Sequence, residues 1–127
     1  MKTELLPKEM LSDKDRSVTP EETKIFRQAV GSLGWVAAIT RPEFAYYYCI
    51  IGTVQSKPKV NDFIKYRKTV KELKSCDSRI LIKKLDFKTL RLEAFSDASL
   101  ANLTDGSSQL GYIIFLTDAK RTAVPIC

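Results

Sequence analysis

The chain has 127 residues, 44% of them hydrophobic, and a formal net charge of +6, which suffices for a modest core and argues against wholesale disorder. Histidine is absent, so Ser-His-Asp, Cys-His and histidine-ligated zinc chemistry are excluded within the chain, and any metal chemistry would rest on carboxylates. No apolar run approaches the roughly 20 residues of a membrane helix and no charged-then-apolar leader opens the chain, so the expectation is a soluble intracellular protein of the cytoplasm and/or nucleus, with no membrane partner.

Residues 1–18 mix lysine and acid with few large apolar groups and are expected to be a flexible or loosely docked lead-in. Thr19-Pro20-Glu21-Glu22 offers a threonine cap, a proline at the first helical position and a glutamate that can close a capping box. Phe26, Ala29, Val30, Leu33 and Ala37 then recur at helical spacing. Gly31 and Gly34 weaken this helix but permit close approach of a neighbour. Thr40-Arg41-Pro42-Glu43 looks like a second capping box, opening a helix from about Arg41 to Val54. Phe44, Ala45, Tyr47, Tyr48, Ile50 and Ile51 make that helix apolar nearly all round, and it is expected to be buried.

Ser56-Lys57-Pro58 breaks the chain, and a third helix from about Val60 to Ser75 aligns Phe63, Tyr66, Val70 and Leu73 on one stripe. Arg67, Lys71 and Lys74 form a basic stripe beside it. From Lys57 to Arg91 there are twelve Lys or Arg against four acids, Asp62, Glu72, Asp77 and Asp86. A partner-facing surface would lie here, and nucleic acid suits its charge; a solvated helix face carries the same pattern. Beyond Asp77 the periodicity changes. Arg79 to Lys84, Leu90 to Asp97 and Gly111 to Thr117 read as strands, Thr122 to Ile126 is a further candidate, and Asn102 to Gln109 reads as a loop. Cys49, Cys76 and Cys127 are odd in number with no Cys-x-x-Cys pair, so reduced, structural thiols are expected.

Two stretches carry a specific resemblance. Phe26-Arg27-Gln28-Ala29-Val30-Gly31-Ser32-Leu33 followed by Thr40-Arg41-Pro42-Glu43-Phe44-Ala45-Tyr46 is similar to the Gly-Ser-Leu helix leading to Thr-Arg-Pro-Asp-Ile-Ala in the Pol polyprotein of copia-type retrotransposons. Phe95-Ser96-Asp97-Ala98-Ser99 and then Gly106-Ser107-Ser108-Gln109-Leu110-Gly111-Tyr112 resemble Tyr-Ser-Asp-Ala-Asp and Ser-Thr-Ser-Gly-Tyr, which open the family's ribonuclease H domain. Glu43 stands where Asp is usual, Ser99 replaces a second acid, and Gln109-Leu110 interrupts the Ser-Gly pattern.

The resemblance implies an α+β chain. Residues 19–77 would be a helical region of reverse transcriptase thumb and connection type, and residues 78–127 the first three strands of a truncated, ribonuclease H-like mixed sheet. It makes Asp97 the first metal-binding aspartate of a site that uses magnesium or manganese in the intact parent. Asp105 and Asp118 sit in turn-like contexts and are not expected to be ligands. One carboxylate cannot hold the two ions of phosphodiester hydrolysis, so the chain alone is expected to be catalytically incomplete, to bind no metal stably, and to bind RNA–DNA hybrid or duplex weakly through Arg67, Lys71 and Lys74. Its other expected partner is the remainder of the Pol protein. The rival expectation is a non-catalytic, transposon-derived remnant or co-opted interaction module.

Overall fold

The structure, a computed structural model, describes residues 1–14, 16–101, 103 and 106–126. The chain is α+β, with three α-helices and a three-stranded antiparallel sheet among the described residues. It divides into two compact units, Met1–Ile80 and Leu81–Cys127. No helix of the described residues is long and apolar enough to cross a membrane.

The first unit holds α1 (Pro20–Ile39), α2 (Ala45–Thr53) and α3 (Val60–Ser75). α1 begins where the capping box places it: Thr19 Oγ1 accepts the Glu22 amide at 3.2 Å, and Glu22 Oε2 accepts the Thr19 amide at 2.8 Å. Arg16 braces the same carboxylate at 2.9 Å. At α3, Asp62 Oδ2 accepts the Lys59 amide at 2.9 Å, so one otherwise orphaned donor beside the helix start is satisfied.

Phe26, Val30 and Leu33 of α1 meet Phe63, Tyr66 and Val70 of α3 in one core, with Ile51 from α2. The Phe26 and Phe63 ring centroids lie 4.7 Å apart, and Tyr66 stands edge-on to Phe26 at 6.3 Å. Gly34 lets the Tyr48 ring lie close against α1, since a Cβ there would lie 2.5 Å from Tyr48 Cε2 and the ring would have to shift. Gly31 has open space beside it.

Three expectations about this unit are corrected. The lead-in is docked: Leu6 is buried in the core, with Leu5, Leu11 and Val18 packed against it, and a 3-10 turn spans Lys8–Leu11. Thr40 is the C-cap of α1. Pro42–Phe44 forms a 3-10 turn before α2 starts at Ala45, because Glu43 pairs with Arg41 at 2.6 Å rather than closing a box. α2 is also far less buried than its composition implies: Ile51 is its one buried residue, while Tyr46, Tyr47 and Tyr48 are exposed. Nine residues give a helix only two and a half turns, so a single narrow face meets α1 and α3.

The second unit holds a 3-10 turn (Phe87–Thr89) and strands β1 (Arg91–Ser99), β2 (Gln109–Thr117) and β3 (Ala123–Pro125), in the order β1-β2-β3. All pairings are antiparallel. Arg79 to Lys84, expected as a strand, has no regular structure, since strand propensity without a pairing partner does not make a strand. The register sets Leu92, Ala94, Ser96 and Ala98 opposite Leu116, Ile114, Tyr112 and Leu110 on one face. Glu93, Phe95 and Asp97 lie opposite Phe115, Ile113 and Gly111 on the other. Both faces therefore carry large apolar side chains, and β1 is exposed at every position.

Candidate nucleic-acid interface and metal site

The basic stripe of α3 rests on a rigid support. Phe63, Tyr66 and Val70 are buried on one side of the helix, which fixes the orientation of Arg67, Lys71 and Lys74 at spacings of four and three residues on the adjoining side. Lys71 is exposed. The other two cations are engaged by the opening segment: Arg67 Nη2 pairs with Glu4 Oε1 at 2.9 Å, and Lys74 Nζ donates to Thr3 Oγ1 at 2.7 Å. Arg67 is half-buried, and its Nε is buried with no hydrogen-bond partner among the described residues.

Tyr66 extends the same contact, its hydroxyl donating to the Lys2 carbonyl at 3.3 Å. Burial pushes the phenol up to about 12, so it stays a protonated donor at neutral pH. Local periodicity could find the stripe. It could not find partners more than sixty residues away in sequence, which short-range patterns do not encode.

Asp97 lies two residues before the end of β1, opposite Gly111, and accepts the Ala98 amide at 2.9 Å. β2 is the central strand and β1, which carries Asp97, stands at the edge of the described sheet. Glu93 shares its face but lies four residues back, about 13 Å along the strand, too far for both carboxylates to clasp one ion. Among the described residues no group of three or more His, Cys, Asp or Glu could hold a metal ion.

Asp118 has a structural duty. Its carboxylate accepts the amide of Asp86 at 3.1 Å and those of Lys120 and Thr122 at 3.0 Å each. These amides, that of Asp86 foremost, hold the acid below the usual carboxylate range, as hydrogen bonds to the charged form do. They also fix the β2–β3 turn, where Arg121 adopts a positive φ of 60°. Asp105 lies outside the described residues, as does Cys127. Cys49 and Cys76 are free thiols, exposed and half-buried respectively, so neither is a core residue.

Arg41, read from the sequence as the start of a helix, is instead a tie between helices. Its Nη1 donates to the Leu73 and Cys76 carbonyls, each at 3.2 Å, at the C-terminal end of α3, where carbonyls lack helical partners. Its guanidinium also lies 5.2 Å from the Phe44 ring centroid. The signal was the unexplained arginine between a helix end and a proline.

No family model matches the chain, and no curated protein or solved structure is similar to it.

Proposed function

We propose that the chain is part of the reverse transcriptase and ribonuclease H region of a copia-type Pol polyprotein, and that its helical unit grips the sugar-phosphate backbone of duplex or hybrid nucleic acid without reading sequence. The observation that carries the binding role is the α3 stripe. Arg67, Lys71 and Lys74 sit on a helix whose adjoining side is locked into a core, and a fixed row of cations suits phosphate contacts, which supply affinity independent of sequence. The resemblance to ribonuclease H is supported by the hairpin register. Asp97 lies opposite Gly111 and Ser96 opposite Tyr112, so the two halves of the resembling motif are neighbours in space. RNA-directed DNA synthesis and RNA-strand hydrolysis belong in this reading to the intact parent. Asp97 would contribute one ligand to magnesium or manganese there, and this chain alone is a weak binder.

The reading as a non-catalytic remnant or interaction module draws on a different observation: the sheet exposes large apolar side chains on both faces, which suits protein contact. Titrating the chain against a labelled RNA–DNA hybrid by anisotropy, over a series of salt concentrations, separates the two. The expected result is weak binding that falls as salt rises and is lost in the triple variant Arg67→Glu, Lys71→Glu, Lys74→Glu, with helical circular dichroism unchanged. Unaltered affinity and salt slope in that variant would refute the α3 surface. No detectable binding by the wild-type chain at low salt would favour the interaction module.

A further inference from the structure

β1 is paired on one side only: β2 holds it continuously from Arg91 to Ser99, and the strand order leaves its other edge open among the described strands. An open edge is a row of N–H and C=O groups that can template another strand. Three of the devices that usually blunt an edge are missing here, since β1 contains no proline and no lysine and its register runs without a bulge; the charges it does carry, Arg91, Glu93 and Asp97, select which strand can pair with it. Residues 79–84 have the opposite deficit. Arg-Ile-Leu-Ile-Lys-Lys is strand-forming, yet it has no regular structure, and Leu81 and Ile82 are 71% and 76% exposed.

We propose that a second copy of this chain supplies its residues 79–84 as a fourth, antiparallel strand along the open edge of β1, each copy donating to the other. Charge complementarity selects the register. With Arg79 opposite Asp97, Leu81 falls opposite Phe95 and Lys83 opposite Glu93, all on one face, so two opposite-charge pairs flank an apolar pair. On the other face Ile80 meets Ser96, Ile82 meets Ala94, and Lys84 meets Leu92. A slip of one residue in one direction sets Lys84 against Arg91 and Ile82 against Glu93. The opposite slip keeps one opposite-charge pair, Lys84 with Glu93, but sets Ile80 against Asp97 and takes Arg79 away from it, so one charge pair remains where the first register has two. Opposite charges directly across a ladder stabilise it and like charges do the reverse.

The present partner of Arg79 is Asp77 at 3.1 Å, with both side chains more than four-fifths exposed, and such a pair is cheaply exchanged. Glu93 Oε1 is bonded to the Thr117 hydroxyl at 3.0 Å, which leaves its second oxygen for a lysine.

The chain's own segment is poorly placed to fill its own edge. Asp118 holds the Asp86 amide, and the Thr89 hydroxyl accepts the Ala119 amide at 3.2 Å, so residues 86–89 are pinned beside the β2–β3 turn. In the register above, Asp86 would continue opposite Leu90, two strand spacings or about 9.6 Å from Asp118, whereas a carboxylate-to-amide bond spans at most about 8 Å between Cα atoms. A reciprocal exchange between two copies satisfies both edges with one symmetric interface.

The test is sedimentation equilibrium of the full chain, its single variants Lys83→Glu and Glu93→Lys, and an equimolar mixture of the two. The wild type is expected to dimerise, and each variant to do so about tenfold more weakly, since each places like charges opposite at both interfaces. The mixture should recover the wild-type constant, because the new glutamate of one chain then meets the new lysine of the other. A monomeric wild type, single variants that dimerise as well as the wild type, or a mixture no better than its components would each overturn the proposal. Protection of the 81–84 amides in a strictly monomeric chain would assign the strand to the chain's own edge and overturn it as well.

Discussion

In the helical unit, Phe26, Val30, Leu33, Val60, Tyr66 and Val70 are essentially inaccessible to solvent, whereas in the sheet unit β1 is exposed at all nine positions and Val124 and Leu85 are the only buried hydrophobic residues among those described. The two units have comparable apolar character in their elements, so composition does not separate them. What separates them is closure. α1 and α3 each carry one apolar stripe, and two stripes facing each other bury both. The sheet carries apolar side chains on both faces, and strands buried on both faces belong to the inner layer of a larger arrangement. The helical unit thus buries the facing stripes of α1 and α3, although Trp35 and Ile39 stay exposed, and the sheet unit leaves both of its faces open.

The largest expected effect tests the helical half of that contrast. Phe26→Ala removes a fully buried ring that touches both Phe63 and Tyr66, and should cost about 3–5 kcal/mol in urea unfolding followed by helical circular dichroism. Amide exchange in the wild-type chain should run parallel to this, with stronger protection in α1 and α3 than in β1, β2 and β3. Equal protection in both units would mean that the sheet's faces are covered in solution.

A smaller effect is expected at Arg41. Arg41→Ala would remove the donor shared by the Leu73 and Cys76 carbonyls and the Glu43 carboxylate, and should lower the unfolding midpoint by less than Phe26→Ala does. Arg41→Lys should recover little of the loss, because an ammonium cannot reproduce the guanidinium's divergent donors. The measurement is again urea unfolding. A change within error in both variants would show that the end of α3 is held by packing alone.

Where local chemistry decides, the sequence was readable. Thr19, Pro20 and Glu22 mark the start of α1, and the spacing of Phe63, Tyr66, Val70 and Leu73 after Pro58 marks α3, because caps and stripes act within a few residues. The misreadings have a common cause in long-range partners. Thr40 and Glu43 have the spacing of a box, but Arg41 is drawn to α3, more than thirty residues away, and takes Glu43 with it. Residues 79–84 have the composition of a strand and lack a neighbour. The stripe of Arg67, Lys71 and Lys74 was legible, while the occupation of two of its cations by Thr3 and Glu4 was not. Asp97 was singled out by resemblance alone, and no group of three or more His, Cys, Asp or Glu that could hold a metal ion forms among the described residues.

The smallest expected effect falls on the sheet. Phe95 is 58% exposed, and its one ring contact is edge-on to Phe115 at 6.0 Å and 79°. Phe95→Ala in dilute chain should therefore cost only about 0.5–1 kcal/mol, the worth of a cross-strand aromatic pair. The same substitution removes the side chain that would meet Leu81 of a second copy, so its cost should grow with protein concentration as association contributes to stability. Unfolding of Phe95→Ala and wild type, compared across a concentration series, reads both quantities at once. A cost matching that of Phe26→Ala in dilute chain would show that this face is already buried. A cost that stayed small at every concentration would confine Phe95 to its own sheet and remove it from any interface between copies.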